Sequence, residues 1–243
     1  MKKTINFANR NFKEIIRDPL SVFFAVLLTL FLLFIFQQFK IPSDNYKLEN
    51  FTPAIVIFAF SFITLFTASL VAKDRVSSLL MRLCASPMKP YQYILGYILS
   101  IFPIIFLQNI LFFTTAVLLG LKMSPNIVYV IISSLPLSIL FISIGIFIGS
   151  ISSERSASGV SSIAIQLVAF TSGMYFPAEM IGVFFSALCR ILPFSHAINI
   201  TKGILNGNIE NPIEDILIYA AYTVVICILS IILFRIKLNG DSK

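Results

Sequence analysis

Six long apolar runs, none with a charged residue or a histidine near its middle, constrain this chain more than any other feature. They cover residues 20–39, 51–72, 93–119, 127–150, 157–176 and 213–234. About 20 apolar residues make a helix long enough to cross the hydrocarbon core of a bilayer. Membrane-spanning strands would alternate between apolar and polar residues, and these runs do not. The sequence therefore predicts an all-α integral membrane protein with six transmembrane helices, in which residues 1–243 form a single domain.

Composition supports this class and excludes another. The chain is 58% hydrophobic and 12% charged, whereas soluble domains carry about 25% charged residues. Its net charge of +7 would suggest nucleic-acid binding in a soluble protein. Here the cations lie between the apolar runs, which is typical of membrane topology signals. We therefore expect contacts with membrane lipids and none with nucleic acid.

The distribution of lysine and arginine predicts the orientation. Thirteen of them lie on the side of the termini and five on the opposite side. Cytoplasmic loops carry the excess of these cations. Both termini and the segment 72–92 are therefore expected in the cytoplasm, in a multi-pass protein of the cell membrane. High usage of isoleucine, phenylalanine, lysine and asparagine favours a bacterial source.

The chain lacks the groups that chemistry or ion coupling would use. It contains no phosphate-binding P-loop, no paired carboxylates inside a run, and cysteines at no metal-binding spacing. His196 is its one histidine, and we interpret it as a structural hydrogen-bonding residue. These absences argue against an enzyme. If the protein moves a compound uphill, its energy is then expected from a partner. A sodium site built from carbonyl and hydroxyl oxygens remains open.

Residues 72–92 form a basic segment with an apolar stripe between two runs. Leu79, Leu80 and Leu83 recur at helical spacing, and Asp74 favours a helix start. Pro87 ends the pattern, because the residue before a proline avoids the helical conformation. The sequence predicts a short amphipathic helix over 73–87. Such a helix either lies on the membrane surface or fills a groove in a cytoplasmic partner, and both interpretations stay open.

Two further segments have an intermediate character. Residues 1–19 place apolar side chains on one helical face and charged ones on the other, which predicts an interfacial helix. Residues 177–205 are too apolar for a free loop and are divided by Pro177, Gly182 and Pro193. Short apolar helices of this kind are typical of re-entrant segments, which we expect on the outer side.

Several of these residues together resemble the type-2 ABC exporter permeases. The similarity covers the whole chain, in the order interfacial helix, coupling helix and re-entrant segment. The sequence departs from the family pattern at Val76-Ser77-Ser78, where a glycine and a threonine are usual. The resemblance is carried by Arg17-Asp18-Pro19, Asp74-Arg75, Leu79, Leu83, Ser86-Pro87, Gly96, Phe176-Pro177-x-Glu179 and Leu192-Pro193.

The resemblance implies one half of an exporter's membrane domain. Two permeases, identical or different, would pair, and each would bind an ATP-binding cassette subunit. The chain itself would need no cofactor, since ATP and Mg²⁺ belong to that subunit. The implied subunit contacts are Asp74, Arg75, Leu79, Leu80, Arg82, Leu83 and Pro87. The implied re-entrant gate consists of Phe176, Pro177, Glu179 and Pro193.

A few small or polar side chains inside the runs have two readings each. Gln108, Asn109 and Gln166 are the large polar side chains within the runs, and they either line a pathway or join helices by hydrogen bonds. Gly145 and Gly149 form a small-residue motif that packs either two permeases or two helices of one chain.

These observations lead to one expected function and two alternatives. We expect a subunit that moves a hydrophobic or amphipathic compound, such as a drug, antibiotic or peptide, out of the cell. Export of a lipid-linked polysaccharide is the alternative within the same fold. An ion-coupled carrier or a channel without an ATPase is the alternative of another class.

Overall fold

The computed structural model of the protein describes residues 2–18, 23–39, 44–76, 89–172, 174, 182–208 and 212–240. All regular elements in this part of the chain are helical. A π-helical stretch, Phe23–Leu28, leads into α2, and a 3-10 turn, Asp44–Tyr46, precedes α3. The α-helices are α1 (Lys2–Ile16), α2 (Thr29–Gln38), α3 (Leu48–Val76), α4 (Pro90–Leu118), α5 (Asn126–Ile151), α6 (Glu154–Thr171), α7 (Val183–Ile191), α8 (Pro193–Asn206) and α9 (Pro212–Gly240).

Four helices in the described part are long and apolar enough to cross a membrane, namely α3, α4, α5 and α9. They correspond to four of the six predicted spans, so the prediction of a helical membrane protein is confirmed. Of the first predicted span, residues 20–22 lie outside the described residues, and the described part contains a shorter apolar helix, Val26–Gln38. The fifth is α6, which begins with Glu154 and Arg155. The six-span topology therefore stays a prediction.

Helix α3 lies at the centre of the bundle. Its neighbours are α5, α6 and α8, with α4, α2 and α1 in smaller contacts. Of its most apolar stretch, 89% is buried inside the chain. Phe51, Phe60, Ile55, Ile57 and Ile63 are fully buried on it. Because α3 is apolar around its whole circumference, it can face a helix on every side.

Glycines allow α5 to approach α3 closely. A Cβ on Gly145 would lie 2.5 Å from Thr67 Cβ, and one on Gly149 would lie 2.6 Å from the Ala68 carbonyl oxygen. Only a residue without a side chain fits at such a contact, as in other close helix pairs. Thr64 adds a hydrogen bond across this contact, its hydroxyl donating to the Phe141 carbonyl at 2.9 Å.

The prolines inside the apolar runs do not interrupt the helices. Pro103 lies within α4 and Pro136 within α5, and both helices continue past them. A proline inside a helix removes one backbone hydrogen bond and strains the preceding turn. Membrane helices tolerate it where neighbouring groups satisfy the freed carbonyl. The structure therefore shows continuous helices at both places.

Helix α1 packs on α4. Phe7 lies over Gly96, where an added Cβ would come within 2.4 Å of the Phe7 ring. The same ring makes edge contacts with Tyr93 and Tyr97, at centroid distances of 5.6 and 5.1 Å. The helix expected over 1–19 is present over Lys2–Ile16. Its placement at a membrane interface stays a prediction.

The predicted re-entrant segment contains two helices in its described part, α7 and α8. Helix α7 follows Gly182, whose φ of +96° is a conformation that suits glycine. Leu192 separates the two helices with an extended backbone, and Pro193 is the first residue of α8, where its missing N–H costs no hydrogen bond. Helix α8 packs against α3, α5 and α9.

Candidate functional site

A buried carboxylate lies at the C-terminal end of α3. Asp74 is 1% exposed and receives a hydrogen bond from Arg10 Nη1 of α1 at 2.6 Å. The Tyr97 hydroxyl of α4 donates to its second oxygen at 2.9 Å. A buried charge is tolerated only when it is paired and hydrogen-bonded in this way. Asp74 therefore ties α1, α3 and α4 together.

Glu14 extends this network at the surface. Its carboxylate contacts Arg10 at 2.5 Å and Lys73 at 2.8 Å. Arg10 thus bridges two carboxylates, one buried and one partly exposed. The contact with Lys73 joins α1 to the last turn of α3, whereas the contact with Arg10 lies within α1. Partly exposed ion pairs contribute little stability individually.

Arg75 connects the same end of α3 to the end of α5. Its guanidinium donates to the carbonyl oxygens of Gly149, Ser150 and Ser152, at 3.2, 2.6 and 3.3 Å. The last carbonyls of a helix lack partners within the helix, and their partial negative charge favours a cation. Arg75 therefore fixes the C-terminal end of α5 relative to α3.

The two consecutive residues Asp74 and Arg75 thus link four helices. We call the set formed by Arg10, Glu14, Lys73, Asp74, Arg75 and Tyr97 the junction network. It lies directly before residues 77–88, which contain most of the predicted coupling helix. In the described part of the chain, no group of three or more histidine, cysteine or acidic residues could hold a metal ion. The network is suited to holding helices in register rather than to bond chemistry.

The predicted subunit contacts divide into two groups. Asp74 and Arg75 belong to the junction network, and Asp74 is buried in the permease. Their role as contacts for a second subunit stays a prediction. The other five residues, Leu79, Leu80, Arg82, Leu83 and Pro87, lie outside the described residues.

One of the four predicted gate residues lies among the described residues. Pro193 begins α8 and is buried. Phe176, Pro177 and Glu179 lie outside the described residues.

The three predicted pathway residues differ in their burial. Gln108 and Asn109 are buried on α4, and Asn109 Nδ2 donates to Ser134 Oγ of α5 at 2.6 Å. For Asn109 the structure therefore shows the interhelical hydrogen bond that was the alternative reading. Gln166 is exposed on α6.

Gly145 and Gly149, the candidates for dimer packing, face α3 of the same chain. The surface that they form is therefore occupied within one permease, because α3 covers it at close contact. This is the second of the two alternatives that the sequence allowed.

A second polar cluster lies at the opposite end of the bundle. His196 is buried on α8; its Nε2–H donates to the Arg190 carbonyl at 2.9 Å, and its Nδ1 lies 2.5 Å from Asp215 of α9. The imidazolium form donates to both acceptors. The sequence indicated a hydrogen-bonded structural histidine, but no spacing rule could pair it with a residue of α9.

A cavity of about 790 Å³ adjoins this cluster. It is lined by Asn45, Asn50, Arg190, His196, Asn199, Lys202, Gly203, Asn206, Asn208, Glu214 and Asp215.

The turn before α3 carries an exposed ion pair. Lys47 lies 2.6 Å from Asp44 and lowers the pKa of the Asp44 carboxyl through its hydrogen bond and charge. Both side chains are exposed, so the pair adds little to stability.

A comparison with protein families decides what kind of protein carries this junction network. The sequence model of the ABC-2 type transporter family matches residues 4–206, from α1 to the end of α8. The chain belongs to the ABC-2 type transporter family. The resemblance to type-2 ABC permeases is thereby confirmed. No curated protein matches the chain.

Family membership sets the general role of this permease. It is a membrane subunit of an ABC transporter, and the family implies an ATP-binding cassette partner. The transport subunits of this family are generally not catalytic themselves.

Proposed function

We propose that the permease moves a hydrophobic or amphipathic compound, such as a drug, antibiotic or peptide, out of the cell. A separate ATP-binding subunit supplies the energy by pressing on the coupling helix over 73–87. The observation that carries this proposal is the junction network at Asp74 and Arg75, which ties four helices together directly before residues 77–88.

The network gives a physical route for force from the ATP-binding subunit. A push on residues 77–88 reaches α3 first, since α3 leads into them. Arg75 passes the displacement to α5 through three carbonyls, and Asp74 passes it to α1 and α4. Charge-assisted hydrogen bonds are short and strong, so the four helices move together at this point rather than sliding past one another.

The orientation in this proposal follows from the cations. The C-terminal end of α3 faces the cytoplasm with both termini, six helices span the cell membrane, and the cavity at His196 lies on the outer side. The thirteen lysines and arginines predicted on the cytoplasmic side support this arrangement.

The pathway in this proposal forms between two permeases, identical or different. The exposed side of α6 supports such a pairing, because it combines the amide of Gln166 with large apolar side chains. Ile163 is 69% exposed and Phe170 is 47% exposed. A polar group at this position in an apolar helix favours a partner or a cavity over lipid. Apolar walls with a single amide suit an amphipathic cargo.

The first experiment tests the partner. The permease is purified in mild detergent from its host, and co-purifying subunits and ATPase activity are measured. We expect a stoichiometric P-loop subunit that is lost when Leu79 and Leu83 are both changed to Asp. The control is Met123→Asp, a change to the same charge at an exposed position at the other end of the bundle, which should keep the partner.

The second experiment tests which class of compound is transported and in which direction. Inside-out vesicles containing the complex should accumulate an apolar cationic dye only when ATP is present. If a hydrophilic sugar or ion is the sole transported compound, the proposed cargo is wrong. If neither partner nor ATPase activity accompanies a folded permease, an ion-coupled carrier or channel replaces the exporter.

A further inference from the structure

Helix α1 has three distinct faces, whereas the sequence suggested two. The first face packs on the rest of the chain and includes buried Phe7, Asn11 and Ile15. The second is apolar but uncovered: Ile5 and Ile16 are 55% and 53% exposed. An exposed apolar stripe beside a packed one is expected of a helix that lies against acyl chains.

The third face of α1 is polar and lines a cavity. Asn6, Arg10, Lys13 and Arg17 recur at helical spacing, which places them on one stripe beside the exposed apolar residues. They border a cavity of about 640 Å³, which Lys73 of α3 borders from the other side. The cavity therefore has donors on two walls, and the polar stripe that lines it borders the exposed apolar face of α1.

The charges in this cavity are not all neutralised by one another. Glu14 is bound by Arg10 and Lys73, and Arg10 also binds the buried Asp74. Within the described part of the chain, neither Lys13 nor Arg17 forms an ion pair. Lys13 and Arg17 thus reach the cavity without an ion pair of their own. Two carboxylates, those of Glu14 and Asp18, line the cavity beside four cations, those of Arg10, Lys13, Arg17 and Lys73, so positive charge is in excess.

We propose that this cavity binds the phosphate of an anionic phospholipid headgroup. Lys13 and Arg17 supply the charge, Asn6 supplies an amide donor, and the acyl chains lie along the exposed stripe of Ile5 and Ile16. Guanidinium and ammonium groups are the side chains that recognise phosphate, and clustered ones at a membrane surface select anionic lipids. The proposal rests on the orientation given above, in which α1 lies at the cytoplasmic surface.

The position of the cavity gives the bound lipid a consequence for transport. Arg10, Glu14 and Lys73 belong both to the cavity wall and to the junction network. A phosphate held at Lys13 and Arg17 adds negative charge beside Lys73 and Arg10. A bound phosphate would therefore share Arg10 and Lys73 with the carboxylates that attach α1 to the end of α3.

The test measures lipid selectivity of the permease alone, without ATP. Binding of fluorescent phosphatidylglycerol and phosphatidylcholine is compared in neutral detergent. We expect the double variant Lys13→Gln and Arg17→Gln to lose about tenfold in preference for phosphatidylglycerol. The matched control, Lys2→Gln with Lys3→Gln, removes the same charge from the same helix outside the cavity wall and should change the preference less than about twofold.

Three outcomes decide between a lipid site and its alternatives. Equal losses in both double variants would show unspecific attraction and overturn the proposal. Displacement of the lipid by inorganic phosphate, at concentrations close to those of the lipid itself, would overturn the lipid assignment in favour of a free anion. The conservative variant Lys13→Arg with Arg17→Lys keeps both charges and should retain selectivity. The lipid-binding measurement involves no ATP, so a negative result would leave the exporter proposal unaffected. Likewise, the absence of a co-purifying ATPase would not change the lipid-binding result.

Discussion

Helices α3 and α9 are alike in sequence and opposite in environment. Both have 29 residues and are predominantly apolar. Of the most apolar stretch of α3, 89% is buried inside the chain, whereas the corresponding share of α9 is 11%. Apolar character thus indicates that a helix avoids water, but it does not tell whether lipid or protein surrounds it, because lipid tails are as apolar as leucine.

Their neighbours explain the difference. Helix α3 is surrounded by α5, α6 and α8, and glycines on α5 bring two backbones into contact. Helix α9 rests mainly on α5 and α8, and leaves its outer side uncovered. One contact of α9 with α5 is the hydrogen bond from the Ser230 hydroxyl to the Ser143 carbonyl at 2.8 Å.

Each helix also carries one buried carboxylate, at opposite ends. Asp74 lies in the last turn of α3, where the helix dipole disfavours negative charge, and depends on Arg10. Asp215 lies in the first turn of α9, where the dipole favours it, and is paired with His196. The two carboxylates therefore differ in how much they need their partners.

The largest expected effect tests this difference. Arg10→Ala removes the ion pair of Asp74, which stays buried at an unfavourable helix end, and should lower the free energy of unfolding by about 3–5 kcal/mol. His196→Ala should cost less, about 1–3 kcal/mol, since α9 itself stabilises Asp215. Denaturant unfolding in detergent, followed by circular dichroism, measures both. An equal or larger loss for His196→Ala would contradict the comparison.

The next effect compares isoleucines on the two helices. Ile57 on α3 is fully buried, and Ile57→Ala should cost about 2–5 kcal/mol, because it leaves a cavity. Ile228 on α9 is 50% exposed, and Ile228→Ala should stay within about 0.5 kcal/mol. The same unfolding measurement applies. A large cost at Ile228 would show that a second permease or another partner covers α9.

The smallest effect concerns the glycine contact that makes α3 central. Gly149→Ala adds a methyl group that meets the Ala68 carbonyl at 2.6 Å, and should destabilise by about 1–3 kcal/mol. The matched control is Gly159→Ala on α6, where no atom lies within 4 Å. That change should be neutral or stabilise by up to about 1 kcal/mol through helix propensity. Similar melting temperatures for both variants would argue against the close approach of α5 to α3.

Much of the fold was predictable, because the length and composition of an apolar run indicate whether a helix lies in an apolar environment or in water. The four long apolar helices match predicted runs, and the short helices α7 and α8 fall within the segment where glycine and proline divided the sequence. The family was predictable too, since the residues around Asp74-Arg75 lie in a recognisable order. The burial of Asp74 was not predictable, because sequence spacing does not reveal burial, and its role as a contact for the ATP-binding subunit stays a prediction.

The sequence by itself determined that this protein is a helical membrane permease of the ABC-2 type, because the solvent preference of each run is local information. Only the tertiary structure decided that α3 is the central helix and that Gly149 packs within the chain. It also paired Arg10 with Asp74 and His196 with Asp215. These pairs are 64 and 19 residues apart in sequence. Which residues pair depends on which parts of the helices meet in space, and no local sequence pattern determines this.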